Sequence, residues 1–136
     1  MQSPRGAVLI NVVSRPTGLE RGETVAYRRA RWRVGNNQIH AGDYLGEVLG
    51  LPGDVITFKA ASFVVNGKVQ VRKTAMPRQG EVTVPADRWF VWPGDFQREF
   101  NSHEQAFNFA QNAGLVAEAD FLGRPYRRWL FRSQQR

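Results

Sequence analysis

The residue types that most often carry chemistry are few in this chain. It contains no cysteine, which excludes thiolate nucleophiles, disulfides and thiolate metal sites. The two histidines, His40 and His103, lie far apart in the sequence and lack the spacing of paired metal ligands. We therefore predict neither a bound metal nor a cofactor.

Basic and aromatic residues form the second group that could carry a function. Nineteen Lys and Arg side chains against twelve Asp and Glu give a formal charge of +7, which favours anionic partners. Residues 28–33 place four arginines around Trp32, and residues 126–136 repeat this mixture around Trp129. Single-strand nucleic-acid binders combine cations and rings in this way, and so do proteins at an anionic membrane surface. Both partners follow from composition alone.

The elements that must position such residues are mainly β-strands. Residues 7–13 form an apolar run of strand length, and Asn66-Gly67 between two alternating runs indicates a two-residue hairpin loop. Residues 51–54, Leu-Pro-Gly-Asp, suit a type II turn. Ser102 is typical of an N-cap for a helix over residues 103–112, with Gly114 as its C-cap. We predict a single mostly β, antiparallel domain over residues 1–136 with one short helix in its C-terminal half.

The same sequence bears on localisation. No apolar run approaches the ~20 residues that cross a bilayer, and residue 1 does not open a signal peptide. Two predictions follow. An anchor upstream of residue 1 would hold the domain at the extracytoplasmic face of a bacterial membrane, and without such an anchor the domain would be cytoplasmic.

Residues 43–56 carry the most informative motif. They read Asp-Tyr-Leu-Gly-Glu-Val-Leu-Gly-Leu-Pro-Gly-Asp-Val-Ile, which resembles the Asp-Tyr-Val-Lys-Arg-Val-Val-Gly-Leu-Pro-Gly-Asp-Val-Ile motif of type I signal peptidases. Four more segments resemble that family in the family's order: residues 21–27, 64–68, 84–95 and 114–124. The resemblance implies a serine peptidase fold of coiled antiparallel sheets or a barrel.

This resemblance also implies positions for the catalytic groups. Ser14, in Ser-Arg-Pro-Thr-Gly-Leu, is similar to the nucleophile segment Ser-x-Pro-x-Gly-Leu of the conjugative-transfer branch, although a serine before Arg-Pro is also a common turn residue. The position of the family's lysine general base is occupied by Gly46. The resemblance further implies substrate-binding or supporting roles for five residues: Pro16, Leu45, Asp95, Asn101 and Ser102. Asn101-Ser102 stand two residues later than the family's spacing.

A glycine at the base position changes the expected chemistry. A serine hydroxyl needs an adjacent base to accept its proton, and general-base assistance contributes ~10²–10⁴ in rate. We therefore predict a catalytically inactive signal-peptidase-like domain. Its expected partners are extended segments of exported or membrane-tethered proteins in a conjugation or secretion assembly.

Two alternatives stay open from the sequence. In the first, the chain is an active serine endopeptidase that cleaves signal peptides of exported precursors, with a displaced base such as His40, Lys59 or Lys68. In the second, the chain is a basic nucleic-acid-binding β-barrel. The resemblance favours the membrane interpretation of the Arg-Trp mixture and makes nucleic acid the weaker partner.

Overall fold

The computed structural model describes residues 10–11, 18–29, 32–34, 37–39 and 41–125. The elements in chain order are β1 Ile10–Asn11, β2 Thr24–Arg29, β3 Trp32–Val34, β4 Asn37–Ile39, β5 Gly42–Gly50, β6 Val55–Phe58, β7 Ser62–Val65, β8 Lys68–Val71, β9 Glu81–Thr83, β10 Arg88–Pro93, α1 His103–Asn112, β11 Leu115–Ala117 and β12 Phe121–Pro125, with a 3₁₀ turn, Glu118–Asp120, before β12. The prediction of a mostly β fold with one helix in the C-terminal half is confirmed.

All strand pairs in the described part are antiparallel and form three sheets. The six-stranded sheet has the order β1-β12-β2-β5-β10-β11, the four-stranded sheet the order β8-β7-β6-β9, and β3 pairs with β4. The nine-residue β5 is the centre of the larger sheet, with β2 on one side and β10 on the other. Any residue in the middle of β5 is therefore enclosed by neighbours on both edges.

One apolar core joins the two larger sheets. Leu49 of β5 and Trp92 of β10 pack in the same cluster as Ile56 and Phe63 of the smaller sheet, and Phe109 of α1 covers this cluster. Trp92 is 1% exposed and Phe109 is fully buried. Burial on this scale contributes roughly 1.5–3 kcal/mol for each large apolar side chain. The core therefore fixes the smaller sheet against β5 and β10.

The two predicted tight turns are present. Gly53 has φ +89° and the amide of Asp54 donates to the carbonyl of Leu51 over 2.9 Å, which closes the turn between β5 and β6. Asn66 and Gly67 both have positive φ, +49° and +88°, as a type I′ hairpin loop requires. Local residue preference is sufficient to place both turns.

The predicted helix range, residues 103–112, is confirmed, and only the predicted C-cap is wrong. Ser102 is the N-cap of α1, and its Oγ accepts from the amide of Gln105 over 3.2 Å. The C-cap is Ala113 rather than Gly114. Gly114 is required for packing, because an added Cβ would lie 2.8 Å from both the Ala110 carbonyl oxygen and Phe90 Cε1. In the described part of the chain, no helix has the length and apolar character needed to cross a membrane.

Candidate functional site

Gly46 lies in the middle of β5 and is buried. A Cβ built on its backbone would lie 2.8 Å from Val91 Cγ1, 2.9 Å from the carbonyl oxygen of Trp92 and 2.9 Å from Tyr27 Cε1. Real Cβ atoms do not make such contacts, and the Trp92 oxygen belongs to the backbone of β10. The packing around β5 therefore accepts glycine alone at this position.

The ring of Tyr27 occupies the space in which a side chain at position 46 would begin. This residue is 1% exposed, and its hydroxyl has no hydrogen-bond partner among the described residues. Burial raises the pKa of Tyr27 well above its ordinary value; the nearby Arg29 cation opposes this shift and the Asp95 carboxylate adds to it. The Tyr27 hydroxyl therefore stays protonated at neutral pH.

Arg29 places a buried cation on the face of β2 that also carries Tyr27. Its guanidinium lies 3.7 Å from the ring centroid of Tyr44 and about 6 Å from the rings of Phe96 and Phe109, at 5.8 and 5.7 Å. The residue is 5% exposed, and within the described part of the chain Nε and Nη1 have no hydrogen-bond partner. An arginine side chain does not deprotonate in proteins. Arg29 thus supplies positive charge near Tyr27 and cannot act as a general base.

The lysines of the chain lie away from buried positions. There are three, Lys59, Lys68 and Lys73, and the structure describes them all. Lys59 and Lys68 are exposed, and the side chain of Lys73 is 37% exposed, with its Nζ 3.0 Å from Glu47 Oε1. A lysine base in a Ser–Lys pair relies on desolvation to lower its pKa. None of these three side chains has that environment.

The other predicted site residues are only partly brought together. Ser14 and Pro16 lie outside the described residues, as does His40. Leu45 is half-buried next to Gly46, and its carbonyl accepts from the Gly94 amide over 3.5 Å. This contact holds the start of the segment that contains Asp95 close to β5.

Three of the predicted supporting residues are exposed. Asp95 is near enough to Tyr27 to influence its pKa. Asn101 and Ser102 precede α1, where Ser102 caps the helix. Among the described residues, no three His, Asp or Glu side chains are grouped so that they could hold a metal ion.

Sequence reasoning missed a polar network that joins three of the motif segments. Asp54, 5% exposed, accepts from Nε and Nη2 of Arg21, both over 2.8 Å, from the Leu51 amide over 2.7 Å and from Asn66 Nδ2 over 2.8 Å. Burial alone would raise the pKa of Asp54, but these donors outweigh it and lower the pKa below its ordinary value. The sequence shows these charged and amide residues inside apolar motifs, but it does not indicate which of them pair with one another.

A second ion pair anchors the polar segment after β10. Glu99 accepts from Arg72 through both carboxylate oxygens and from the Ala75 amide over 3.2 Å. The Arg72 hydrogen bond is the main cause that lowers the pKa of Glu99. Arg72 also donates to the Met76 carbonyl over 2.5 Å. The segment of Asp95 and Asn101 is therefore tied to the connection after β8.

Comparison with known families identifies this arrangement. A family model described as signal peptidase, peptidase S26, matches residues 3–129. This chain belongs to the signal peptidase family. No curated protein matches it significantly.

Family membership confirms the resemblance stated from the motifs. The matched range includes the predicted nucleophile segment around Ser14, Gly46 and the Asp54 network. Within this range, Arg21, Asp54 and Asn66 are joined by side-chain hydrogen bonds. Assignment of Ser14 and Gly46 to the nucleophile and base positions stays a prediction.

Proposed function

We propose that this signal-peptidase-like domain binds extended segments of exported or membrane-tethered proteins without hydrolysing them. The observation that carries the proposal is the environment of the lysines: the chain has three, and none is buried. A Ser–Lys peptidase needs a lysine whose ammonium loses its proton near neutral pH, and burial is what makes this possible.

The packing at Gly46 supports the same conclusion. If Gly46 occupies the base position, no side chain is available there to accept the serine proton, and Tyr27 and Val91 fill the adjoining space. Arg29, the buried cation on the face of β2 that carries Tyr27, cannot accept a proton. When the nucleophile and base act as a unit, loss of either can cost about 10⁶ in rate.

The domain would still be able to bind an extended polypeptide. An extended polypeptide can bind a β-domain by adding a strand to a sheet, where main-chain hydrogen bonds supply affinity and side-chain pockets supply specificity. The +7 charge is suited to work near anionic headgroups. We propose that the domain works in a conjugation or secretion assembly, at the extracytoplasmic face of a bacterial membrane if an anchor precedes residue 1.

A serine-directed fluorophosphonate probe tests the absence of catalysis. The parent protein and its Ser14→Ala variant should show the same low labelling, while an active signal peptidase treated in parallel should be labelled strongly. Labelling of the parent at Ser14 that disappears in Ser14→Ala would refute the proposal and favour an active enzyme with a displaced base. His40→Ala would then show whether that histidine is the base.

Binding is tested separately with a precursor peptide that spans a signal-peptide cleavage region. Calorimetry should show saturable binding, and mass spectrometry of the recovered peptide should show it uncut. A cleaved peptide contradicts the inactive assignment. A peptide that does not bind contradicts the recognition role.

A further inference from the structure

The free edge of β8, together with the cleft beside it, forms a second surface with binding features. We propose that this surface binds an extended, acidic polypeptide segment by strand addition. The proposal uses neither Gly46 nor Ser14, so it does not depend on whether Ser14 is active.

β8 is the edge strand of the four-stranded sheet and pairs only with β7 among the described strands. The Arg72 amide donates to the Ala61 carbonyl over 3.2 Å, so this residue faces β7. Because residues of an antiparallel strand alternate between facing the partner and facing away, Lys68 and Gln70 also bond to β7. The N–H and C=O groups of Val69 and Val71 point to the free edge.

The side chains of those two residues are unusually exposed. Val69 is 68% exposed and Val71 81% exposed, and these are the large apolar side chains that stand out on the described surface. Successive side chains of a strand point to opposite faces, so Val69 and Val71 lie on one face and Lys68 and Gln70 on the other. An edge with free backbone groups and exposed valines is a template for another strand.

The face opposite the valines opens into a cleft of about 490 Å³. Buried side chains that include Val48 and Phe63 line it, and beside them stand Gln70 and three charged groups, Arg21, Glu47 and Lys68. A segment added to β8 would direct every second side chain towards this cleft. The remaining side chains would cover Val69 and Val71.

The charges at the cleft indicate that the bound segment should be acidic. Arg21 at the cleft is neutralised by Asp54, and Glu47 is paired with Lys73. Lys68 has no acidic partner among the described residues. The cleft therefore has an excess positive charge that an Asp or Glu side chain of the added segment would neutralise.

A second copy of this chain fits less well. Two β8 strands paired antiparallel about Gln70 would set Lys68 of each copy opposite Arg72 of the other, and like charges in opposed positions are destabilising. Lys68–Val71 also contains no acidic residue that could reach the cleft. The pattern that fits is a segment in which acidic residues alternate with valine or another β-branched residue.

The test uses a fluorescein-labelled peptide, Thr-Val-Asp-Val-Asp-Val-Thr, and the same peptide with Asn for both Asp residues. Fluorescence anisotropy should show that the Asp peptide binds more tightly. Amide exchange followed by NMR should slow by about tenfold or more at Val69 and Val71 on saturation, with smaller changes at Lys68 and Gln70, which already bond to β7.

Two variants with the same loss of charge separate a specific contact from general attraction. Lys68→Gln should weaken binding of the Asp peptide by about two- to fivefold, while Lys59→Gln, at an exposed position after β6, should leave it unchanged. Val71→Pro removes an outward-facing N–H without removing a bond to β7 and should abolish binding of both peptides.

Several results would overturn the proposal. One is that the Asp and Asn peptides bind with equal affinity. Another is that Lys68→Gln and Lys59→Gln weaken binding of the Asp peptide equally. A third is that the peptide binds without slowing amide exchange at Val69 and Val71. Concentration-dependent protection of the same amides without peptide would show that a second copy occupies the edge, and would also refute it. The probe-labelling result at Ser14 affects none of these outcomes.

Discussion

Replacement of Gly46 by alanine tests the packing on which the proposed inactivity partly rests. The new Cβ would lie 2.8 Å from Val91 Cγ1 and 2.9 Å from both Tyr27 Cε1 and the Trp92 carbonyl oxygen. The Val91 methyl can move, but the Tyr27 ring is 1% exposed and the Trp92 carbonyl is part of the β10 backbone. Relief therefore requires a shift of the strand or of a buried ring.

The size of the effect follows from two opposing contributions. Overpacking of a well-packed core costs about 1–3 kcal/mol, and removal of a glycine from a strand interior returns roughly 0.5–1 kcal/mol. We expect Gly46→Ala to lower the free energy of unfolding by about 1–2 kcal/mol, which corresponds to a fall in Tm of about 3–8 °C for a domain of this size.

Urea unfolding followed by tryptophan fluorescence provides the measurement, with Gly94→Ala as the matched control. No atom of the described residues lies within 4 Å of a Cβ added at Gly94, so this variant should be as stable as the parent or slightly more stable. Equal stability of Gly46→Ala and Gly94→Ala would show that position 46 has room for a side chain. The packing argument against a lysine there would then be wrong.

Three further substitutions test the polar groups of the structure. Asp54→Asn should lower the free energy of unfolding by about 1.5–3 kcal/mol at pH 7. Because the folded pKa of Asp54 is lowered, the stability that the carboxylate contributes is complete above the unfolded pKa of ~4 and is lost as the pH falls through the folded pKa. The urea midpoints of parent and variant should therefore converge in acid. Asn66→Ala should lower the free energy of unfolding by about 1–3 kcal/mol. The variant loses the hydrogen bonds to Asp54 and from the Val55 amide, and alanine must adopt the positive φ of +49°. A urea midpoint equal to that of the parent would contradict this. Arg29→Met should increase the free energy of unfolding by roughly 1–3 kcal/mol and raise the thermal midpoint accordingly, since it removes a buried cation of which two nitrogens have no partner among the described residues. A clear loss of stability would show that contact with the Tyr44 ring outweighs that burial.

The sequence by itself determined the features that depend on a few neighbouring residues. Pro52-Gly53 and Asn66-Gly67 place their turns because their own backbone preferences favour the required φ angles. Ser102 starts α1 through a hydrogen bond three residues away. The ordered motifs identified the family, and the absence of a side chain at position 46 is a property of the sequence itself.

The tertiary structure alone decided which distant residues meet. Arg21 and Asp54 are 33 positions apart, and Arg72 and Glu99 are 27 apart, so no local pattern could pair them. The exposure of all three lysines also depends on how the sheets pack. Gly114 resembled a helix cap and is instead a packing residue, because the space next to a glycine is set by whichever elements the fold brings against it. Backbone preference acts over neighbouring residues, whereas packing and charge pairing depend on contacts that exist only once the chain has folded.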